Sequence, residues 1–220
     1  TNPLNQKRYN HKSILLPNGK ILVTGGNTTS PGIILTRDNE LFNLGVSSWG
    51  YAGKLATARQ KHTVNLLTNG TVLICGGEIN TAPATNSVEI YFSTAETCGT
   101  GRPLNYSRAN HTATLLPDGR VLVAGGRSST GTISACEIYR PDNDTWLNTA
   151  PLVTARENHT AIPIIGGRVI VFSGNAANGS AISTAEIYDP WLSTWTVIDL
   201  TNLQRSTHTA VFLPNNKILI

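Results

Sequence analysis

All five histidines of the chain, His11, His62, His111, His159 and His208, recur at spacings of 51, 49, 48 and 49 residues. Arg8, Arg59, Arg108, Arg156 and Arg205 stand three positions ahead of them every time. Imidazoles can ligate metals or carry protons, and guanidinium groups grip carboxylates and phosphates with two parallel hydrogen bonds. Five equivalent arginines on one loop face would form a positive rim, so these five are the candidate binding residues. The competing reading pairs each arginine with a glutamate of its own repeat, or with backbone carbonyls. Presence in every copy favours that pairing, because one site seldom needs five equal copies. For the histidines, symmetric positions do not converge easily on tetrahedral ligation at about 2.0–2.1 Å. Threonine follows four of the five, which suggests a packed hydrogen-bonding pair. No metal site, cofactor or catalytic residue is expected within this segment.

Other chemistry is sparse. Cys75, Cys98 and Cys136 make an odd set with no C-x-x-C spacing, so neither a disulfide framework nor a zinc site is readable. Cys75 and Cys136 lie in apolar strand-like runs, where inert buried thiols are expected. No nucleophilic triad order, phosphate loop or paired-carboxylate arrangement stands out. The net charge of +4 is spread without a basic block or basic-aromatic clusters, so nucleic acid is not an expected partner. No run of eighteen apolar residues exists, and no membrane span is expected in this segment. Methionine is absent, even at position 1, which reads as a processed or partial chain.

The elements that must position these residues are short β-strands in a repeating unit. Each histidine opens a hairpin: HKSILLPNGKILVTGG, HTVNLLTNGTVLICGG, HTATLLPDGRVLVAGG, HTAIPIIGGRVIVFSG, HTAVFLPNNKILI. A third strand carries Glu40, Glu89, Glu137 or Glu186, and a fourth begins near Trp49, Cys98, Trp146 or Trp195. Turn residues separate the four strands, lettered a to d in chain order from the hairpin onward, with PNG, TNG, PDG and GG between a and b and PDND or DPWLS between c and d. A four-stranded unit of this length predicts an all-β chain built as a propeller of four-stranded antiparallel blades. The blades are expected over about 8–57, 58–106, 107–154 and 155–203, with a half-blade over 204–220. An open half-blade would leave unpaired edges, which implies part of a six- or seven-bladed ring.

The paired glycines at 25–26, 76–77 and 125–126, the Glu-Ile-Tyr triplets and the spaced tryptophans resemble the Kelch-repeat family. The wording LLPDGRVLVAGG is similar to the central propeller of galactose-oxidase-type proteins. That resemblance implies a protein-binding face or, in the oxidases, a copper-radical site with two histidines and two tyrosines, one ligand pair being an adjacent Tyr-His. Here the histidines follow Asn10, Lys61, Asn110, Asn158 and Thr207, and Tyr9 and Tyr106 are out of register for such a pair. Copper ligands would have to lie outside this segment. Blade four has Ser173-Gly174 for the glycine pair, and Cys98 fills a tryptophan slot.

Only the stretch from the second glycine to the glutamate varies in length, at 14, 12, 11 and 12 residues. These b–c loops, with the d–a loops at the same end, are the expected recognition face. The b–c loops are small and polar, without tryptophan or tyrosine for stacking on sugars. Charged residues are 14% of the chain, against about 25% in ordinary soluble domains. Seven Asn-x-Ser/Thr sequons occur, and Asn27, Asn69, Asn143 and Asn178 sit at predicted turns or loops as candidate glycan sites. Asn110 and Asn158 are expected to abut the inner strand. The expectation is a non-catalytic extracellular or cell-surface scaffold that binds a protein or glycan on the b–c/d–a face. Second and third readings are a copper-radical oxidase and a self-assembling building block of a surface filament or matrix.

Overall fold

The computed structural model describes residues 2–28, 34–200, 204–215 and 217–220. Part of the first b–c loop, residues 29–33, lies outside the described residues. Among the described residues the chain is all-β, apart from one 3-10 turn at Ile165–Gly167. It divides into two compact units, Thr1–Ala109 and Asn110–Ile220.

The first unit holds two four-stranded antiparallel sheets, each in the order a-b-c-d. Strands a to d of the first are Lys12–Leu15, Ile21–Thr24, Asp38–Asn43 and Ser48–Lys54; those of the second are Thr63–Leu66, Val72–Cys75, Val88–Phe92 and Thr97–Gly101. The second unit repeats the plan. Its third sheet comprises Thr112–Leu115, Val121–Ala124, Cys136–Arg140 and Thr145–Thr149, and its fourth Thr160–Pro163, Val169–Phe172, Thr184–Asp189 and Thr194–Asp199. A last hairpin pairs Val211–Phe212 with Ile218–Leu219.

The b strands are unbroken β-branched and apolar runs because both of their faces are covered. VLIC, VLVA and VIVF are buried at every residue. In the first unit Leu22 and Leu41 of one sheet pack against Val72, Ile74 and Tyr91 of the next. In the second, Leu122, Cys136 and Ile138 meet Val169, Val171 and Tyr188. Ile170 and Phe172 present their other face to Phe212 and Ile218 of the last hairpin.

Two local devices recur. Across strands c and d, Phe42 faces Trp49, Tyr139 faces Trp146 and Tyr188 faces Trp195, with ring centroids 4.9–5.0 Å apart and tilted. Tyr91 faces Cys98 at the same register. Each c–d turn ends on a residue at positive φ, namely Ser47, Glu96, Asp144 or Ser193, so four different sequences make the same tight reversal.

Candidate functional site

The repeated arginine and glutamate form the centre of each sheet's loop end, and they are buried. Arg8, Arg59 and Arg156 have side chains at 0% exposure and donate to Glu40, Glu89 and Glu186 at 2.6, 2.8 and 2.8 Å. The same guanidinium donates to the carbonyl at the end of strand b in its own repeat: Gly25, Gly76 or Ser173. Each carboxylate also accepts two backbone N–H groups from the d–a loop, those of Asn5 and Gln6, Ala56 and Thr57, or Val153 and Thr154. A charged pair closed on itself in this way has most of its hydrogen-bonding capacity occupied, although Arg59 Nε is left without a partner.

Backbone of the same segment joins each repeat to the one before. The carbonyls of Arg59 and Arg108 accept from Gly26 and Gly77 in the first unit, and those of Arg156 and Arg205 accept from Gly126 and Gly174 in the second, at 2.8–2.9 Å. The imidazole edge lies on the glycine pair. A Cβ on Gly25 would fall 2.5 Å from the Arg59 carbonyl oxygen and 2.7 Å from His62 Cε1. Gly25 also sits at φ +60°. Residues preceding each histidine, Asn10, Lys61, Asn110, Asn158 and Thr207, all adopt φ of 53–55°, a left-handed conformation that asparagine tolerates best.

This corrects the expectation of an arginine rim. Arg8, Arg59, Arg108 and Arg156 are buried among the core residues and cannot meet a partner. Arg205 is exposed, and its Nη1 donates to the Ile220 carbonyl. The histidines are equally structural. Thr112 Oγ1 and His159 Nε2 are 2.8 Å apart; the Thr-His pair expected within one repeat forms instead between successive repeats. Lys12 replaces threonine ahead of His62, and neither ring nitrogen of buried His62 has a partner. Burial, then the charges of Arg59, Lys12 and His11, hold the His62 pKa well below its ordinary 6.5. The pKa values of His11 and His208 are lowered too, again chiefly by burial.

Among the described residues, no group of three or more His, Cys, Asp or Glu is placed to hold a metal ion. All three cysteines are thiols. Burial pushes the Cys98 pKa up to about 11, although Asn39 donates to its sulfur.

What remains at the loop end is a set of positions with constant geometry and changing chemistry. After Arg8, Arg59 and Arg156, the next residue pairs across an antiparallel bridge with the residue after the glycine pair. Tyr9 faces Asn27, Gln60 faces Glu78, and Glu157 faces Asn175. Tyr9 Oη accepts from Asn27 Nδ2. Gln60 Nε2 and Lys61 Nζ both donate to Glu78, and Asn10 Nδ2 donates to Gln60. Glu157 accepts from Arg127, Asn110 and Thr132. In the first unit Gln60 and Glu78 form one wall of an open groove of about 570 Å³, with Leu35 and the b–c loop Ile79–Pro83 as the others. Sequence reasoning passed these positions over because they do not repeat. Their signal is that they flank residues that do.

The glycan candidates separate. Asn69, Asn143 and Asn178 are exposed in turns, each accepting from the hydroxyl of its own sequon, that of Thr71, Thr145 or Ser180. Asn27 is 1% exposed and bonded to Tyr9 and to the Ile34 N–H. Its cross-strand pairing removes the accessibility expected from the sequence, and it is withdrawn as an attachment site.

No family model matches the chain, and no curated protein matches it. Among 302 matching chains of solved structures, the one titled "Structure of YjhT" is similar with a TM-score of 0.79 and 14% identity, over 94% of this chain and 75% of that one. At that identity the likeness concerns the fold alone.

Proposed function

We propose that the four-stranded units are blades of a Kelch-type β-propeller and that the protein is a non-catalytic scaffold binding a protein partner on its b–c/d–a loop face. One observation carries the reading: at a fixed register beside the buried Arg-Glu pairs, three bridges each leave one residue accessible, and it differs in chemistry from one to the next, Tyr9, Glu78 and Asn175, while their partners Asn27, Gln60 and Glu157 are buried behind them. Positions that must fit the scaffold are uniform; the neighbouring positions, free of that demand, differ. Such a pattern is what a recognition surface on a rigid frame looks like. The groove bounded by Gln60, Glu78 and Ile79–Pro83 supplies concave space at this end. The propeller reading rests on the 48–51-residue period, the a-b-c-d sheets and the arginine-to-glycine joint between consecutive repeats within each unit.

Export to the extracellular space or cell surface belongs to the same proposal, supported by low charge and three exposed sequons at Asn69, Asn143 and Asn178. The test is affinity capture with the Asn80→Arg/Thr81→Arg variant, which places two cations on the exposed b–c loop. The partner retained by the natural chain is expected to be lost, with an unchanged thermal midpoint. Retention by this variant, together with loss in a variant altered at the a–b turns, moves the site to the other end. Stoichiometric copper with peroxide production in the longer protein would replace the scaffold reading by the oxidase one.

A further inference from the structure

The fourth c–d turn breaks the rule that the turns opposite the loop face carry no aromatic side chain. Residues 44–47, 93–96 and 141–144 read LGVS, STAE and PDND, whereas residues 190–193 read PWLS. Trp191 is 81% exposed there. The turn that carries it is ordered: the Trp191 and Leu192 N–H groups both donate to Asp189 Oδ1, Pro190 fixes its own φ, and Ser193 takes the same φ as its counterparts. No packing role explains the indole. A single exposed apolar side chain is ordinary on a protein surface; what sets this one apart is its place on an ordered turn at the edge of a groove.

Beside Trp191 lies a groove of about 200 Å³ lined by Leu116, Pro117, Asp118, Arg120, Gly167 and Pro190. Its floor is apolar and its rim is charged. Asp118 Oδ2 takes Arg120 Nε and Nη2, each at 2.7 Å, and Oδ1 takes the Arg120 N–H. The pair is part-exposed, so the carboxylate keeps acceptor capacity and Arg120 Nη1 keeps donors for a ligand. Gly167, at φ +71°, is the thin wall opposite, where a Cβ would stand 3.2 Å from Pro117 Cγ.

We propose that this groove is a carbohydrate subsite, binding one pyranose ring on the Trp191 indole with its hydroxyls on Asp118 and Arg120. A pyranose has the amphipathic outline the groove has: a flat face of C–H groups for the indole and an equatorial edge of hydroxyls for a carboxylate-guanidinium pair. The volume suits one ring. A polyproline segment, the other ligand a Trp-Pro surface suggests, rises about 3.1 Å per residue and needs an extended aromatic groove for a P-x-x-P stretch. Here there is a single aromatic plane and a charged pair that proline cannot use.

The test follows the Trp191 indole N–H and the backbone N–H groups of the groove by NMR on the 220-residue chain. Methyl β-D-glucopyranoside, methyl β-D-galactopyranoside, methyl α-D-mannopyranoside and octaproline are titrated in parallel. A saturable shift with at least one glycoside is expected. In Trp191→Ala the backbone response of the groove disappears; in Asp118→Ala binding weakens about tenfold, and in Trp191→Phe it survives in part. Absence of saturation with all three glycosides overturns the proposal, as does an unchanged groove response in Trp191→Ala. A response to octaproline alone overturns it in favour of peptide recognition.

Discussion

Arg59 and Arg156 each join two repeats with different parts of the same residue: the guanidinium closes on its own repeat's glutamate and the carbonyl holds the preceding repeat's glycine. Arg156→Ala is therefore expected to lower stability by about 3–5 kcal/mol, since it strands Glu186 in the core, measurable by urea denaturation. Charge reversal at Arg108 and Arg156, attractive if they lined a surface, is expected to prevent folding instead. Lys12 offers the converse. In the second unit Thr112 meets His159, while His62 faces Lys12 and has no partner. Lys12→Thr is expected to raise stability by about 1 kcal/mol by restoring that hydrogen bond to a buried ring, and the midpoint of the same denaturation curve reads it. The Arg-Glu pairing was legible from the sequence, because both residues recur at nearly fixed separation. The burial of Asn27 was not, because it depends on Tyr9 arriving across a bridge from another part of the repeat.

At the scale of the element, glycine separates turn chemistry from packing. Gly19 lies in an a–b turn at φ +78°, and a Cβ there would meet nothing within 4 Å, whereas one on Gly25 would strike both the Arg59 carbonyl and the His62 ring. Gly19→Ala is expected to cost about 1 kcal/mol, from backbone strain alone. Gly25→Ala is expected to cost more than about 3 kcal/mol, since strain and overlap add. Paired thermal melts of the two variants distinguish the contributions. Strand order and turn positions were readable from hairpin periodicity and turn residues, and the tryptophan slots from their spacing, but not the pairing of those tryptophans with Phe42, Tyr139 and Tyr188 across c and d. The short bridges between d–a and b–c segments were invisible: two-residue pairings leave no periodicity, and their residues change from repeat to repeat. The Trp191 groove escaped for a related reason, since its walls come from turns far apart in the chain.

For the whole molecule, buried His62 and half-buried His11 and His208 contribute to the response to acid. The folded pKa values of His11, His62 and His208 lie below 6.5, so the unfolded chain binds more protons once the pH falls beneath that value. Stability from these groups is complete above about pH 6.5 and is lost as the pH drops toward their folded pKa values. Thermal midpoints measured from about pH 8 down to about pH 5 are expected to hold and then decline. A flat profile through that window would mean that these imidazoles titrate as in water, contrary to the burial of His62 and the partial burial of His11 and His208.

The position of the joint within the repeat has a genetic corollary. Its donor half, the glycine pair, and its acceptor half, the arginine carbonyl, both lie inside a single period. Any tandem duplication one period long, wherever its endpoints fall, thus copies a complete socket and a complete plug. Copies can multiply without a new interface having to evolve, while the bridged positions alongside are left to diversify one copy at a time.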